Sequence, residues 1–184
     1  MNVFVGLQFL EPLRAIELCW ESRLYGPVLV LMYSTIDAVA WLSCPLGQPE
    51  VKRSDFVGWV DRYLIPDSGL QCTATELYAA RCGVLHSLTP DSGISRKGDA
   101  RQIYYAVGPD RARVLQYAID NSSEPIVAVQ LDLLLRASRH AFTRFFESAA
   151  TDEDLTRRIE SRRSRIFATY TDSIPTTTTA LDPP

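Results

Sequence analysis

The segment TATELYAARCGVLHSLTP at positions 73–90 decides how the rest of the chain is read. Thr73 with Glu76 three residues on is a capping box: hydroxyl and carboxylate each satisfy a backbone N–H that has no partner inside the helix. Pro90 cannot continue a helix and biases Thr89 away from helical angles, so the helix stops near Leu88. Leu77, Ala80, Val84 and Leu88 recur at helical spacing and mark a core-facing stripe. At about 100° per residue Arg81 falls inside that stripe, and His86 falls near the far side beside Ala79 and Gly83. A guanidinium on an apolar face needs an acceptor or a wet cavity. Arg81 and His86 are therefore the pair to explain.

Upstream, residues 7–23 set Leu10, Leu13, Ile16 and Leu18 against Glu11, Arg14, Glu17 and Glu21, which is an amphipathic first helix. Gly26 and Pro27 punctuate the chain, and Pro27 opens a helix from Val28 to Leu42 that is apolar nearly all round, as the central helix of a bundle is. Asp37 sits in its middle and requires donors; Arg81 is a candidate partner. Ser54–Leu64 reads as a third helix with Ser54 as its cap.

Downstream, residues 89–101 form a polar, basic surface loop, and the alternation over Gln102–Val107 predicts a short strand. Arg111–Ile119 is a helix, and another starts at Glu124-Pro125 and runs to about Glu147. Thr151 with Asp154 caps one more, whose Arg157, Arg158, Arg162, Arg163 and Arg165 form a solvated face. From Ile174 onward, prolines and threonines predict disorder. The expected architecture is mainly α, a bundle of about six to seven helices with at most a short strand near residues 102–107. It forms one domain over residues 1–170, followed by a disordered tail at 171–184.

Composition narrows the function. The formal charge of −3 argues against wholesale coating of nucleic acid, yet residues 81–113 hold six basic and three acidic side chains. A local positive patch of this kind is compatible with a phosphate-binding site. Cys19, Cys44, Cys72 and Cys82 have no CxxC spacing and no histidine cluster, so they read as reduced core thiols, with no metal and no cofactor. The N-terminus lacks a signal-peptide pattern. Tyr25–Leu42 comes nearest to a membrane span, but Ser34, Thr35 and Asp37 interrupt it; the expectation is a cytoplasmic protein without a membrane partner.

Glycine-rich phosphate loops, nucleophile elbows and HExxH are absent, and His86 and His140 are the only histidines. His140 reads as a surface or partly buried structural residue. What remains is Arg81-Cys-Gly-Val-Leu-His86, an R-x4-H arrangement late in a capped helix of a helical chain. In this the sequence resembles the HEPN superfamily, whose nuclease members carry R-x4–6-H in an α-helical bundle. The resemblance implies metal-independent endoribonuclease activity in toxin–antitoxin or other defence systems, with an antitoxin or partner protein, and a homodimer whose two motifs meet at the two-fold axis. Many members carry a polar residue directly after the arginine; here it is Cys82, a position that bears on the arginine's orientation.

The residue types suit that chemistry. A histidine moves protons near neutral pH, and an arginine holds a phosphate and the charge that builds on it. RNA supplies its own 2′-OH nucleophile. Arg96, Lys97 and Arg101 are candidate backbone contacts, and Tyr104 a base-stacking one. Glu76, through the capping box, and Asp37 are candidate orienting residues. Arg81 and His86 stand about 140° apart on an ideal helix, so the site needs either a break at Gly83 or a second subunit. The small residues Ala79 and Gly83 would admit such a partner helix closely. The rival reading is a non-catalytic helical interaction module in which Asp37 and Arg81 form a structural pair.

Overall fold

The computed structural model describes residues 9–162 and 165–166; the expected tail at 171–184, the first two residues of the expected opening helix and Arg163 lie outside these. The fold is mainly helical, with one two-stranded sheet among the described residues. Helix α1 spans Leu10–Glu21 and α2 spans Tyr25–Ser43. Helix α3 covers Arg53–Trp59 and runs on as a π-helical turn, Val60–Leu64. Helix α4 is Ala74–Ser87, and α5 is the single turn Gly93–Arg96. Then come β1 (Gln102–Ala106), α6 (Pro109–Asp120), β2 (Ile126–Gln130), α7 (Leu131–Thr151) and α8 (Glu153–Arg162).

Helix α2 has the length and mean hydropathy, 1.3, of a membrane span. It nonetheless packs as the hub, touching α1, α3, α4, α7 and α8. Val28, Met32, Tyr33, Ile36 and Val39 are fully buried there, against Phe56, Val60 and Leu64 of the α3 segment, Leu77 of α4, and Leu134 and Phe145 of α7. Trp59, Tyr63, Phe142 and Phe145 interlock at ring separations of 5.4–6.0 Å.

Three local expectations change. Ile126–Gln130 is a strand and not the start of a helix: its β-branched run pairs in parallel with β1, Gln102 opposite Ile126 through Ala106 opposite Gln130, and α6 is the crossover. Pro125 accepts the Gln102 N–H at 2.8 Å and sets that register. The last helix is capped by Asp152, which accepts the N–H groups of Asp154 and Leu155 at 3.0 Å; Thr151 instead bonds back to Ser148. At α3 the helix begins at Arg53, one residue before the expected Ser54 cap, with Asp55 accepting the Lys52 N–H at 2.7 Å.

The arginine face of α8 is only partly solvated. Arg162 is 3% exposed, donates to the Pro45 and Gln48 carbonyls and lies over the Trp41 ring. Arg158 donates to Ser43 at the end of α2. Arg158 thus serves an orphan carbonyl at the C-terminal end of the hub helix, and Arg162 ties down the loop that follows it. All four cysteines are free, Cys44 and Cys72 buried and Cys19 and Cys82 half-buried.

Candidate functional site

Both halves of the capping box form at the start of α4: Glu76 accepts the Thr73 N–H at 2.8 Å, and Thr73 Oγ1 accepts the Glu76 N–H at 3.2 Å. The far end closes as an αL turn, with Leu88 N–H bonded to the Val84 carbonyl and, one residue on, Thr89 N–H to that of Gly83. Leu88 takes the left-handed conformation there, φ +53°, where glycine is the usual residue, and is 74% exposed.

The buried face of α4 is Ala74, Glu76, Leu77, Ala79, Ala80, Gly83 and Val84. With Glu76, Ala79 and Gly83 inside it, this face is rotated away from Arg81. Arg81 therefore stands at its border and not at the centre of a sealed stripe. The other side of the helix, Thr75, Tyr78, Arg81, Cys82, Leu85 and His86, is half-buried to exposed. Helix α4 stays regular through Ser87, without a break at Gly83. Arg81 and His86 thus flank one open face, with Tyr78, Cys82 and Leu85 between them.

Across this face lies Asp37 of α2. Its Oδ2 accepts Arg81 Nε at 2.6 Å and also contacts Arg81 Nη2; the two side chains are 17% and 22% exposed. Arg81 Nη1 makes a 4.0 Å contact with the Cys82 sulfur. Burial pushes the Asp37 carboxyl above the usual carboxylate range, opposed by the hydrogen bond and charge of Arg81 and by the charge of His86. That last effect places His86 within electrostatic reach of the same carboxylate. On Arg81, burial favours loss of the proton, but Asp37 outweighs it and holds the guanidinium charged. Tyr78 is held up by burial and by the neighbouring Cys82 thiol, and it too feels Arg81 and Asp37.

The close approach expected at Gly83 is made by the chain itself. A Cβ there would lie 2.4 Å from the Thr89 carbonyl oxygen and 2.6 Å from that of Asp91. The smooth surface is therefore filled by the chain's own turn, which hydrogen bonds from Ser87 to Gly83 and Thr89 hold in place. Ala79 is likewise buried within the chain.

The other sequence candidates disperse. Arg101 is bound to Glu76, Nε to Oε1 at 2.6 Å, and to the Gln71 carbonyl at 3.2 Å, so it braces the start of α4. Glu76 is 6% exposed; burial raises its carboxyl, but Arg101 and the Thr73 N–H overcome this and hold it below the usual range. Arg96 pairs with Asp91 at 2.5 Å on the surface. The loop holding it is ordered by α5, whose Ser92 and Ser95 are buried in a reciprocal cap. Lys97 is exposed. Tyr104 is 37% exposed, opposite Ala128, whereas Tyr105 turns inward and meets Tyr33 hydroxyl to hydroxyl at 2.5 Å. His140 is exposed on α7.

Sequence reading passed over Tyr78, which lies between Arg81 and Cys82 on the open face. Its position one turn before both residues is the signal that could have found it. Compared with known proteins, the chain matches no family model, no curated protein and no solved structure.

Proposed function

We propose that the protein is a metal-independent endoribonuclease of HEPN type, a cytoplasmic toxin or defence component that acts as a homodimer and is held in check by an antitoxin or partner protein. One observation carries the reading: Arg81 and His86 flank a single partly open face and share Asp37 as an electrostatic neighbour. Asp37 engages Nε and Nη2 of the guanidinium, which fixes the plane of the group while, among the described residues, Nη1 stays free of carboxylate. An arginine held in this way is a preorganised phosphate donor.

In the reaction the ribose 2′-OH attacks the adjacent phosphorus and the 5′-oxygen leaves. His86 takes the proton from the nucleophile or gives one to the leaving oxygen, and a second copy's histidine serves the complementary step. Arg81 balances the charge that grows on the non-bridging oxygens. The products are a 2′,3′-cyclic phosphate and a 5′-hydroxyl end. Incubating purified protein with 5′-labelled RNA in chelator and identifying the termini tests this. Intact RNA, or cleavage unchanged in His86→Ala, would overturn it.

A second reading is favoured by the Asp37–Arg81 pair closing within one chain: a non-catalytic interaction module that uses the pair as a structural bolt. It expects Arg81→Ala to unfold the protein readily, where the nuclease reading expects a folded, inactive variant.

A further inference from the structure

We infer that Arg53 and Tyr78 form the subsite that holds the backbone of single-stranded RNA beside the Arg81–His86 face, an inference that rests on reading that face as RNA-cleaving. Arg53 is the first residue of α3 and is exposed. Its guanidinium carbon lies 5.9 Å from the centre of the Tyr78 ring, and Phe56, one turn further along α3, braces the same ring at 5.4 Å. Tyr78 precedes Arg81 by three residues and Cys82 by four, so all three stand together on the open face of α4. The charges of Arg81 and Asp37 both reach the Tyr78 hydroxyl. Arg53, Tyr78 and Arg81 are thus consecutive along one surface, joined through the tyrosine.

Availability separates Arg53 from the two arginines of the basic loop. Arg101 is committed to Glu76 and Arg96 to Asp91. Among the described residues no carboxylate engages Arg53, and the aromatic face of Tyr78 steadies it. A guanidinium stacked on a ring keeps its N–H edge free for bidentate contact with a phosphate. The substrate strand therefore crosses the α3–α4 seam, with one phosphate at Arg53 and the scissile one at Arg81.

The test uses the full chain and a 5′-labelled single-stranded RNA whose 2′-hydroxyls are methylated, so that binding is read by fluorescence anisotropy without turnover. Arg53→Ala raises Kd about tenfold and lowers the slope of log Kd against log salt by about 0.7. Arg53→Lys restores that slope while leaving affinity below wild type, and the melting temperature of both variants stays that of the parent. A wild type that does not bind, or an Arg53→Ala variant with unchanged Kd and slope, overturns the subsite. Arg53-dependent binding with unmodified RNA left intact supports the subsite and overturns the cleavage reading. Cleavage by the wild type with an unaltered KM in Arg53→Ala does the reverse.

Discussion

Near its start α4 holds Glu76 against Arg101; further along it holds Arg81 against Asp37. Each pair joins a carboxylate to a guanidinium Nε at 2.6 Å, yet the carboxylates respond in opposite directions. Glu76 has, besides Arg101, the Thr73 N–H and the positive end of a helix, and together they overcome its burial. Asp37 sits mid-helix in α2, where every backbone N–H is already used, and Arg81 and His86 do not fully offset its desolvation. The first pair is scaffold. The second is a charge held where the fold gains little from it.

The largest effects should fall on chemistry at the second pair. His86→Ala is expected to lower RNA cleavage by about 10²–10⁴, and Arg81→Ala by at least about 10², both measured under single-turnover conditions in chelator. Circular dichroism and thermal melting should leave both variants folded, since Arg81 is 22% exposed and water can reach Asp37 once the guanidinium is gone. An Arg81→Ala variant that melts as far below wild type as a Glu76 variant would erase the distinction between the pairs.

At the first pair the expected loss is stability alone. Glu76→Ala removes a cap acceptor and leaves the Thr73 N–H without its partner, costing about 2–3 kcal/mol in urea unfolding. Arg101→Ala costs about 1 kcal/mol, because that side chain is 44% exposed and solvent replaces much of what it loses. Equal costs for the two would mean that the ion pair, and not the cap, carries the effect.

A comparable argument fixes the far end of the helix. Glycine to alanine inside a helix ordinarily stabilises by about 1 kcal/mol. At Gly83 the new Cβ would meet backbone oxygens of Thr89 and Asp91 inside contact distance, so Gly83→Ala should instead destabilise by about 1–3 kcal/mol. The same displacement moves the turn that follows His86. Cleavage should therefore fall by more than the loss of folded protein explains, whereas an unchanged melting curve would mean the turn simply gives way.

What the sequence disclosed follows the range of the forces involved. The capping box, the stop at Leu88 and the mainly α character are local, and they hold. The Asp37–Arg81 contact was legible because a carboxylate in an apolar helix and an arginine beside an apolar stripe each require a partner. The width of that stripe was not, because burial of Glu76 depends on Arg101 arriving from β1's approach. Ile126–Gln130 reads equally as strand or helix until β1 is there to pair with it. Arg162 looks solvated on its own helix and is buried only by the 45–48 loop laid over it. Tyr78 escaped notice since a half-buried tyrosine on a core helix is ordinary until Arg53 and Arg81 are seen on either side of it.

The smallest effect is also the one that tests the opening contrast most directly, because the two carboxylates should give opposite slopes with pH. Glu76 has a folded pKa below its unfolded one, so its contribution is present above the ordinary carboxylate range and is lost as pH falls through the folded value. The stability gap between wild type and Glu76→Gln should therefore widen as pH rises through the acid range. Asp37 has a folded pKa above its unfolded one, so what it contributes is present below the unfolded value and is lost as pH rises through the folded value. The gap between wild type and Asp37→Asn should accordingly narrow over that window, leaving the asparagine variant at its relative best near neutrality. Urea midpoints of the three proteins across the acid range measure both slopes. Two slopes of the same sign would make Asp37 a second Glu76, and the Arg81 pair would then be a bolt like the first.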